Sequence, residues 1–197
     1  MKVKETFISF TRKGDYSFFI NLDKYGSYIP INDLVEQSLH FCRIVLLGDE
    51  VFKQKEDVKK FINKCSKKNT DIIFEIFTKG IERPVGVGNI NSVIFNVELQ
   101  LKNSNINYKK RIFPTVIDWF NTINANFIFN VFNIDDIDEA DMLVKDFGIS
   151  KSKVILCPND TDKLKETLII AKRYGYNCLP NFRKILWNNI GRNEKSE

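Results

Sequence analysis

The feature that most limits how this chain can fold is a regular alternation of short apolar runs with amphipathic helical patterns from Ile44 onward. The runs Ile44–Leu47, Asp71–Thr78, Ser92–Leu99, Phe127–Phe132 and Val154–Cys157 are rich in Ile, Val and Phe, and each is too short for a buried helix. Between them apolar residues recur at helical spacing. Val58, Phe61, Ile62 and Cys65 form one stripe, and Val116, Trp119, Phe120 and Ile123 another, behind the first-turn Pro114. A third holds Ile137, Ala140, Leu143 and Phe147, capped by Asp135 and closed by Gly148. In the last, Leu164, Leu168 and Ala171 follow a cap at Thr161 or Asp162 and end at Gly175. Strands that are apolar on both faces and separated by helices predict a mainly parallel sheet with helices packed against it.

Upstream, Lys4–Phe10 and Tyr16–Leu22 are β-rich and flank Thr11–Asp15, which predicts a hairpin. Asn32 is the expected N-cap of a helix through His40, with Ile31 as a hydrophobic staple and Leu34, Val35 and Leu39 inward. At 197 residues the chain suits one domain, expected over 1–190, with 191–197 a disordered tail. The strand-helix units are too few for a closed eight-stranded barrel of ~250 residues. The expectation is an α/β fold whose mostly parallel sheet forms an open, partial (β/α) barrel, with the strands ending at Leu47, Thr78, Val97 and Phe132 side by side.

Several function classes fall away on composition. The net charge of +5 is dispersed over points such as Lys59-Lys60, Lys67-Lys68 and Lys109-Lys110-Arg111 and forms no stripe with interleaved aromatics, so nucleic acid is not an expected partner. No apolar run nears the ~20 residues of a membrane span. The N-terminal MKVKETFISF lacks a signal-peptide pattern, and a cytoplasmic location is expected. Cys42, Cys65, Cys157 and Cys178 are far apart, without metal-knuckle spacing, and read as buried thiols. The single histidine, His40, ends a helical pattern and suits the helix dipole, so no metal site is expected.

Chemistry in parallel α/β folds gathers where strands end. The stretch Ile44–Gln54, IVLLGDEVFKQ, stops an apolar run at a glycine and two acids before a helical pattern begins. Candidate ligand-binding residues at the strand ends are Gly48, Asp49, Glu50, Glu75, Thr78, Lys79, Gly80, Asn103 and Ser104. Carboxylates there, with Lys79 and Lys13, have the equipment for acid-base work or for Mg²⁺. The glycine-rich 85–88 has no following lysine-serine or helix and is read as a crossing, not a phosphate cradle.

Ile44–Gln54 resembles VLTGGEPLLQ of the 7-carboxy-7-deazaguanine synthases, a branch of the radical S-adenosylmethionine superfamily. The resemblance runs through the chain in order. Glu5–Gly14 is similar to E-x-F-x-S-x-Q-G-E-G, Phe18–Leu22 to FIRL, and Glu75–Pro84 to EIETNGT-x-x-P. Further on, Val97–Asn105 is similar to VSPKLxNSG, Phe127–Val131 to FKFVV, Val154–Asn159 to a strand ending in P-x-G, and Pro180–Trp187 to PRLHKLLW. It implies a barrel of radical-S-adenosylmethionine type. In the family, three clustered cysteines after FIRL hold an iron-sulfur cluster; here Leu22 is followed by DKYGSYIP and no cysteine precedes Cys42. Positions that meet ligands in the family are also changed, at Thr11, Lys13, Asp49, Gln100, Asn181 and Arg183.

The expectation from this pattern is a degenerate homologue without cluster or S-adenosylmethionine, acting as a binding, partner or regulatory subunit. The alternative is an enzyme with a cluster-independent activity at the strand ends, one still linked to deazapurine (queuosine-type) metabolism. The resemblance implies a homodimer or another protein partner, and the aromatic side chains of Tyr25, Tyr28, Phe182 and Trp187 are its expected contact points.

Overall fold

The computed structural model describes residues 1–11, 14–48, 50–84, 86–87, 90–159 and 162–180. A hairpin of β1 (Lys2–Phe10) and β2 (Tyr16–Leu22) leads through β3 (Ser27–Tyr28) to α1 (Ile31–Ser38). Then β4 (Arg43–Gly48), α2 (Lys55–Lys68), β5 (Ile73–Thr78), β6 (Val93–Glu98), α3 (Tyr108–Arg111) and α4 (Pro114–Asn121) follow. The chain continues with β7 (Ala125–Val131), α5 (Ile134–Asp146), β8 (Val154–Pro158), α6 (Leu164–Tyr174) and β9 (Asn177–Cys178).

All these strands form one nine-stranded sheet in the order β3-β1-β2-β4-β5-β6-β7-β8-β9. β1 runs antiparallel to both of its neighbours, and every pairing from β2 to β9 is parallel. The sheet is open among the described residues, and β4, β5, β6 and β7 are adjacent, as the alternation predicted. β3 and β9 are two residues each and were not foreseen.

The strands alternate between two faces. Ile44, Leu46, Phe74, Ile76, Phe95, Val97, Phe127 and Phe129 share one continuous core with Leu34, Val58, Phe61, Ile62, Ile117, Phe120, Ala140 and Leu143 from the helices. This is the layering expected when parallel strands return through helices on one side, although β5 leads to β6 without a helix among the described residues. On the opposite face a small cluster of Ile128, Ile155 and Cys157 packs with Phe77 and Leu179.

Three helices differ from the sequence reading, two in their caps and one in its buried face. Pro30, not Asn32, occupies the cap of α1, so Ile31 is its first residue and the Asn32 side-chain oxygen Oδ1 instead accepts from Lys64 Nζ at 2.6 Å. Pro30 needs no amide partner at that position, which lets the helix begin early. Asn133, not Asp135, caps α5, accepting from the Asp136 amide, while the Asp136 carboxylate accepts from the Phe132 amide at 2.7 Å. In α6 the buried positions are Thr167 and Ala171, and Leu168 is 46% exposed. Leu168 lies on the shoulder toward β9, a strand too short to cover it. The loop expected at 103–110 also contains a 3₁₀ turn at Lys102–Ser104 and α3.

β4 meets β2 by a close backbone approach at Gly48. Its φ is +154°, and a Cβ there would lie 2.2 Å from the Leu22 carbonyl oxygen. Only glycine fits both the dihedral and the space. Gly48→Ala is therefore expected to cost about 3 kcal/mol or more in urea unfolding. Gly148→Ala, where φ is +58° but nothing lies within 4 Å, should cost only about 1 kcal/mol.

Candidate functional site

The carboxyl ends of β4, β5 and β6 carry most of the side chains singled out in the sequence. After Gly48 the chain turns, and Glu50 caps the 3₁₀ turn Val51–Gln54 by accepting from the Phe52 amide at 3.3 Å. Thr78 at the end of β5 donates its hydroxyl to the same carboxylate, 3.1 Å from Oε1 and 3.4 Å from Oε2. The Gly80 amide in turn donates to the Thr78 hydroxyl at 3.1 Å. Gly80 takes φ +69°, and a Cβ would fall 2.9 Å from Val97 Cγ1. Glu50, Thr78 and Gly80 thus form one linked unit that ties the ends of β4 and β5 together. Asp49 lies outside the described residues, as does Lys13.

Glu50 is buried, and burial raises its pKa above the ordinary glutamate value, with the charge of Glu82 acting in the same direction. The Phe52 amide, the Thr78 hydroxyl and Lys53 oppose the shift. Gln54, whose match to the family motif had no assigned role, has a structural one. Its side-chain oxygen accepts from the Lys2 amide at 2.7 Å and its amide donates to the Lys2 carbonyl at 2.9 Å, pinning the turn to β1.

Beside this unit a cavity of about 130 Å³ is lined by Lys79, Glu98, Gln100, Asn103, Ser104 and Asn130, with Leu99 and Leu101. The Asn103 amide donates to the Asn130 carbonyl at 3.0 Å and the Ser104 hydroxyl to the Leu101 carbonyl at 2.7 Å. Both candidates therefore shape the wall of the cavity. The residue that fixes this wall was missed: Arg111, 5% exposed, donates to the Gln100 and Ile106 carbonyls at 2.6 and 3.1 Å and to Glu139 at 2.6 Å. Glu139 also accepts from the Lys102 amide at 2.7 Å. In the sequence Arg111 is indistinguishable from the solvated lysines before it. The cavity falls below the roughly 300 Å³ of ordinary small-molecule sites and has room for a few waters or a small ion. A larger cavity of about 590 Å³ lies away from the strand ends, against Leu168, Ile169, Tyr176 and Cys178, and is predominantly apolar.

Glu75 does not join the others. It sits within β5, where Arg43 of β4 donates to Oε1 at 2.6 Å and Asn96 of β6 to Oε2 at 3.0 Å. Asn126 of β7 donates to Asn96 Oδ1 at 3.1 Å, and Arg43 Nε lies 3.3 Å from Asp15. The period-two alternation puts Glu75 on the face opposite the helices, two strand residues short of Phe77 and the sheet end. Its expected place among strand-end ligands is corrected accordingly.

Of the aromatic contact candidates, Tyr25 and Tyr28 are 83% and 69% exposed, and Phe182 and Trp187 lie outside the described residues. The cysteine reading also changes at two positions. Cys65 and Cys157 are buried, but Cys178 is half-buried and Cys42 is exposed. Burial pushes the Cys65 thiol up to about 11, and the Ser38 hydroxyl lies 3.9 Å from its sulfur. Among the described residues no group of three or more His, Cys, Asp or Glu is arranged to hold a metal ion, and no helix is long and apolar enough to cross a membrane.

Among solved structures, the crystal structure of QueE from Escherichia coli matches with a TM-score of 0.67 and 14% sequence identity, over 91% of this chain and 93% of that one. The fold is shared with QueE. Coverage of nearly both chains makes the likeness to QueE one of the whole sheet and its helices, not of a single strand-helix unit. No protein-family model and no curated protein matches the chain.

Two measurements follow from this geometry. A carboxyl whose folded pKa is raised favours the folded state at pH below the unfolded value, and that contribution is lost as pH rises through the folded pKa. Wild-type stability relative to Glu50→Gln should therefore fall as pH rises above the ordinary glutamate value; thermal unfolding of both proteins at a series of pH values from below that point upward reads it, and a flat difference would refute it. Arg43→Met should cost about 3 kcal/mol by leaving the buried Glu75 carboxylate without its cation, with only the Asn96 amide still donating to it. Arg43→Met combined with Glu75→Leu should cost less than the sum of the two single changes, measured as a double-mutant cycle in urea.

Proposed function

We propose that this chain is a QueE-like scaffold, a partial barrel of radical-S-adenosylmethionine type, that works without the iron-sulfur cluster as a binding or partner subunit. QueE is a 7-carboxy-7-deazaguanine synthase, the family that the ordered sequence motifs resemble. The observation that carries the reading is the connection after β2. From Leu22 the chain turns at once, with the Gly26 amide donating to the Asp23 carbonyl at 3.0 Å and the Tyr25 amide to the Asp23 carboxylate at 2.9 Å. It then forms β3 and enters α1 behind Pro30. This turn stands where the family's three cysteines belong, and it holds no thiolate.

The remaining sulfur donors do not fit a cluster either. Cys42 precedes β4, Cys65 faces the core from α2, and Cys157 and Cys178 lie in β8 and β9. A cluster needs several thiolates on one site. Changes at Thr11, Gln100 and Asp49, where the family meets its ligands, support the same reading, as does the use of Asn103 and Ser104 for wall contacts. A homodimer or a second protein is the expected partner, in a cytoplasmic setting.

A second reading has one observation in its favour. Glu50 is a buried carboxyl of raised pKa at a strand end, an environment that suits a general acid. An enzyme of cluster-independent activity would use it. Its hydrogen bonds to Phe52 and Thr78 serve the strand junction equally well, and the adjoining cavity is small, so the subunit reading is preferred.

Anaerobic reconstitution with iron and sulfide decides the central point. The expected outcome is no charge-transfer absorption near ~400 nm and no stoichiometric iron after desalting. A cluster that disappears on substitution of Cys157 or Cys178 would overturn the proposal. Affinity purification from the native host with mass spectrometry should recover a protein partner in stoichiometric amount, and recovery of a turned-over small molecule alone would favour the second reading.

A further inference from the structure

The sheet ends at β9, and among the described residues no strand lies beyond it. α6 stops at Gly175, which takes φ +76°, and the chain turns back there into β9. Between this helix and this strand opens the cavity of about 590 Å³, lined by Leu168, Ile169, Ala171, Tyr176 and Cys178, with Lys172 beside them. Leu168 and Ile169 are 46% and 50% exposed and adjacent on the surface of one helix. Single exposed hydrophobics are ordinary, but two neighbours over an open apolar groove mark a surface that something covers. β9 is two residues long and too short to do so.

The chain itself continues from this place. Cys178 lines the groove, the Leu179 amide donates to the Leu156 carbonyl at 3.0 Å, and the described residues end at Pro180. In the sequence that follows, Phe182, Ile185, Leu186 and Ile190 recur at i, i+3, i+4 and i+8, one stripe of a helical pattern, while Arg183 and Lys184 fall outside it. An amphipathic stripe needs an apolar surface to bury it. The nearest along the chain is the groove that Cys178 lines, two residues before Pro180.

We infer that residues 181–190 lay this stripe into the groove between α6 and β9, with Phe182, Ile185 and Leu186 covering Leu168, Ile169 and Cys178. The tether favours this occupant over any separate chain. A segment joined beside its own site meets it at an effective concentration on the order of millimolar. A free protein at micromolar concentration must therefore bind roughly a thousandfold more tightly to displace it. The stripe carries no charge and the groove is apolar apart from Lys172, so docking leaves Arg183 and Lys184 in water. Phe182, an expected partner contact, is then used within the chain, and the exposed rings of Tyr25 and Tyr28 are left to a partner. The inference is independent of the partner-subunit reading and of the missing cluster.

Cys178 reports on the groove. In a Cys42→Ser background the remaining thiols, Cys65 and Cys157, are buried, so a chromogenic disulfide reagent applied to the folded full-length chain reads Cys178, with the label located by mass spectrometry. Labelling should be slow in this parent protein. Leu186→Asp should speed it by roughly tenfold or more with circular dichroism unchanged, because a carboxylate in the stripe opens the cover. Lys184→Asp, outside the stripe, should leave the rate as it is. Equal rates in Leu186→Asp and its parent, or equal acceleration by Lys184→Asp, would overturn the inference. So would a parent rate that falls as protein concentration rises from about 1 to about 100 μM, the mark of cover by a second copy. If Leu186→Asp fails to fold, a milder pair decides: Leu168→Ala and Leu186→Ala should be non-additive in urea unfolding, and additive changes would refute the contact.

Discussion

The approach of Gly48 to the Leu22 carbonyl is the contact on which the rest of the arrangement depends. It joins an antiparallel hairpin to a parallel sheet, and it does so at the end where ligand loops belong. Because no side chain fits there, β4 can run alongside β2 to its last residue and then turn sharply. Glu50 follows directly, and its carboxylate gathers donors from its own turn and from β5. Gln54 then returns to the Lys2 backbone, so one short segment fastens β1, β4 and β5 at their shared end.

A second line of polar contacts crosses the sheet on the face without helices, from Asp15 through Arg43, Glu75 and Asn96 to Asn126. Its energetic meaning is asymmetric. A buried ion pair adds little compared with well-packed apolar residues, but removing one member leaves a charge without water or partner. The line therefore acts mainly on register: each strand from β4 to β7 contributes one member, and a slip by one residue would turn that member into the apolar core. Among the described residues this face also carries the small apolar cluster around Ile128 and Ile155 and the stacked pair Phe7–Phe19.

The strand-end region divides into a closed part and an open part. Glu50, Thr78 and Gly80 satisfy one another, while Lys79, Glu98, Gln100 and Asn130 border a small cavity whose wall is held by Arg111 and Glu139. Asn103 and Ser104 donate to backbone carbonyls, and Glu50 accepts from a backbone amide and from Thr78, so each of these residues has a structural contact in place. Among the described residues, only Lys2 and Val3 of the outer β1 edge pair with a further strand.

The sequence by itself determined the mixed α/β class with a mostly parallel sheet, the adjacency of β4, β5, β6 and β7, and the glycines at Gly48 and Gly80, because apolar periodicity and the glycine requirement are local properties of the chain. It also placed Thr78, Lys79, Asn103 and Ser104 near a common end. Tertiary structure decided what each polar residue does. Glu75 reads the same as Glu50 along the chain, yet only the register of β4, β5 and β6 brings Arg43 and Asn96 to it and keeps it from the strand ends. Arg111 looks like one more lysine-rich surface position until the turn of the chain buries it beside Glu139. The caps at Pro30 and Asn133 displaced neighbouring candidates for a similar reason, since a helix start is chosen by the path of the entering chain as well as by the residue. Hydrogen-bond partners distant in sequence are set by the packing of elements, and no local pattern encodes them.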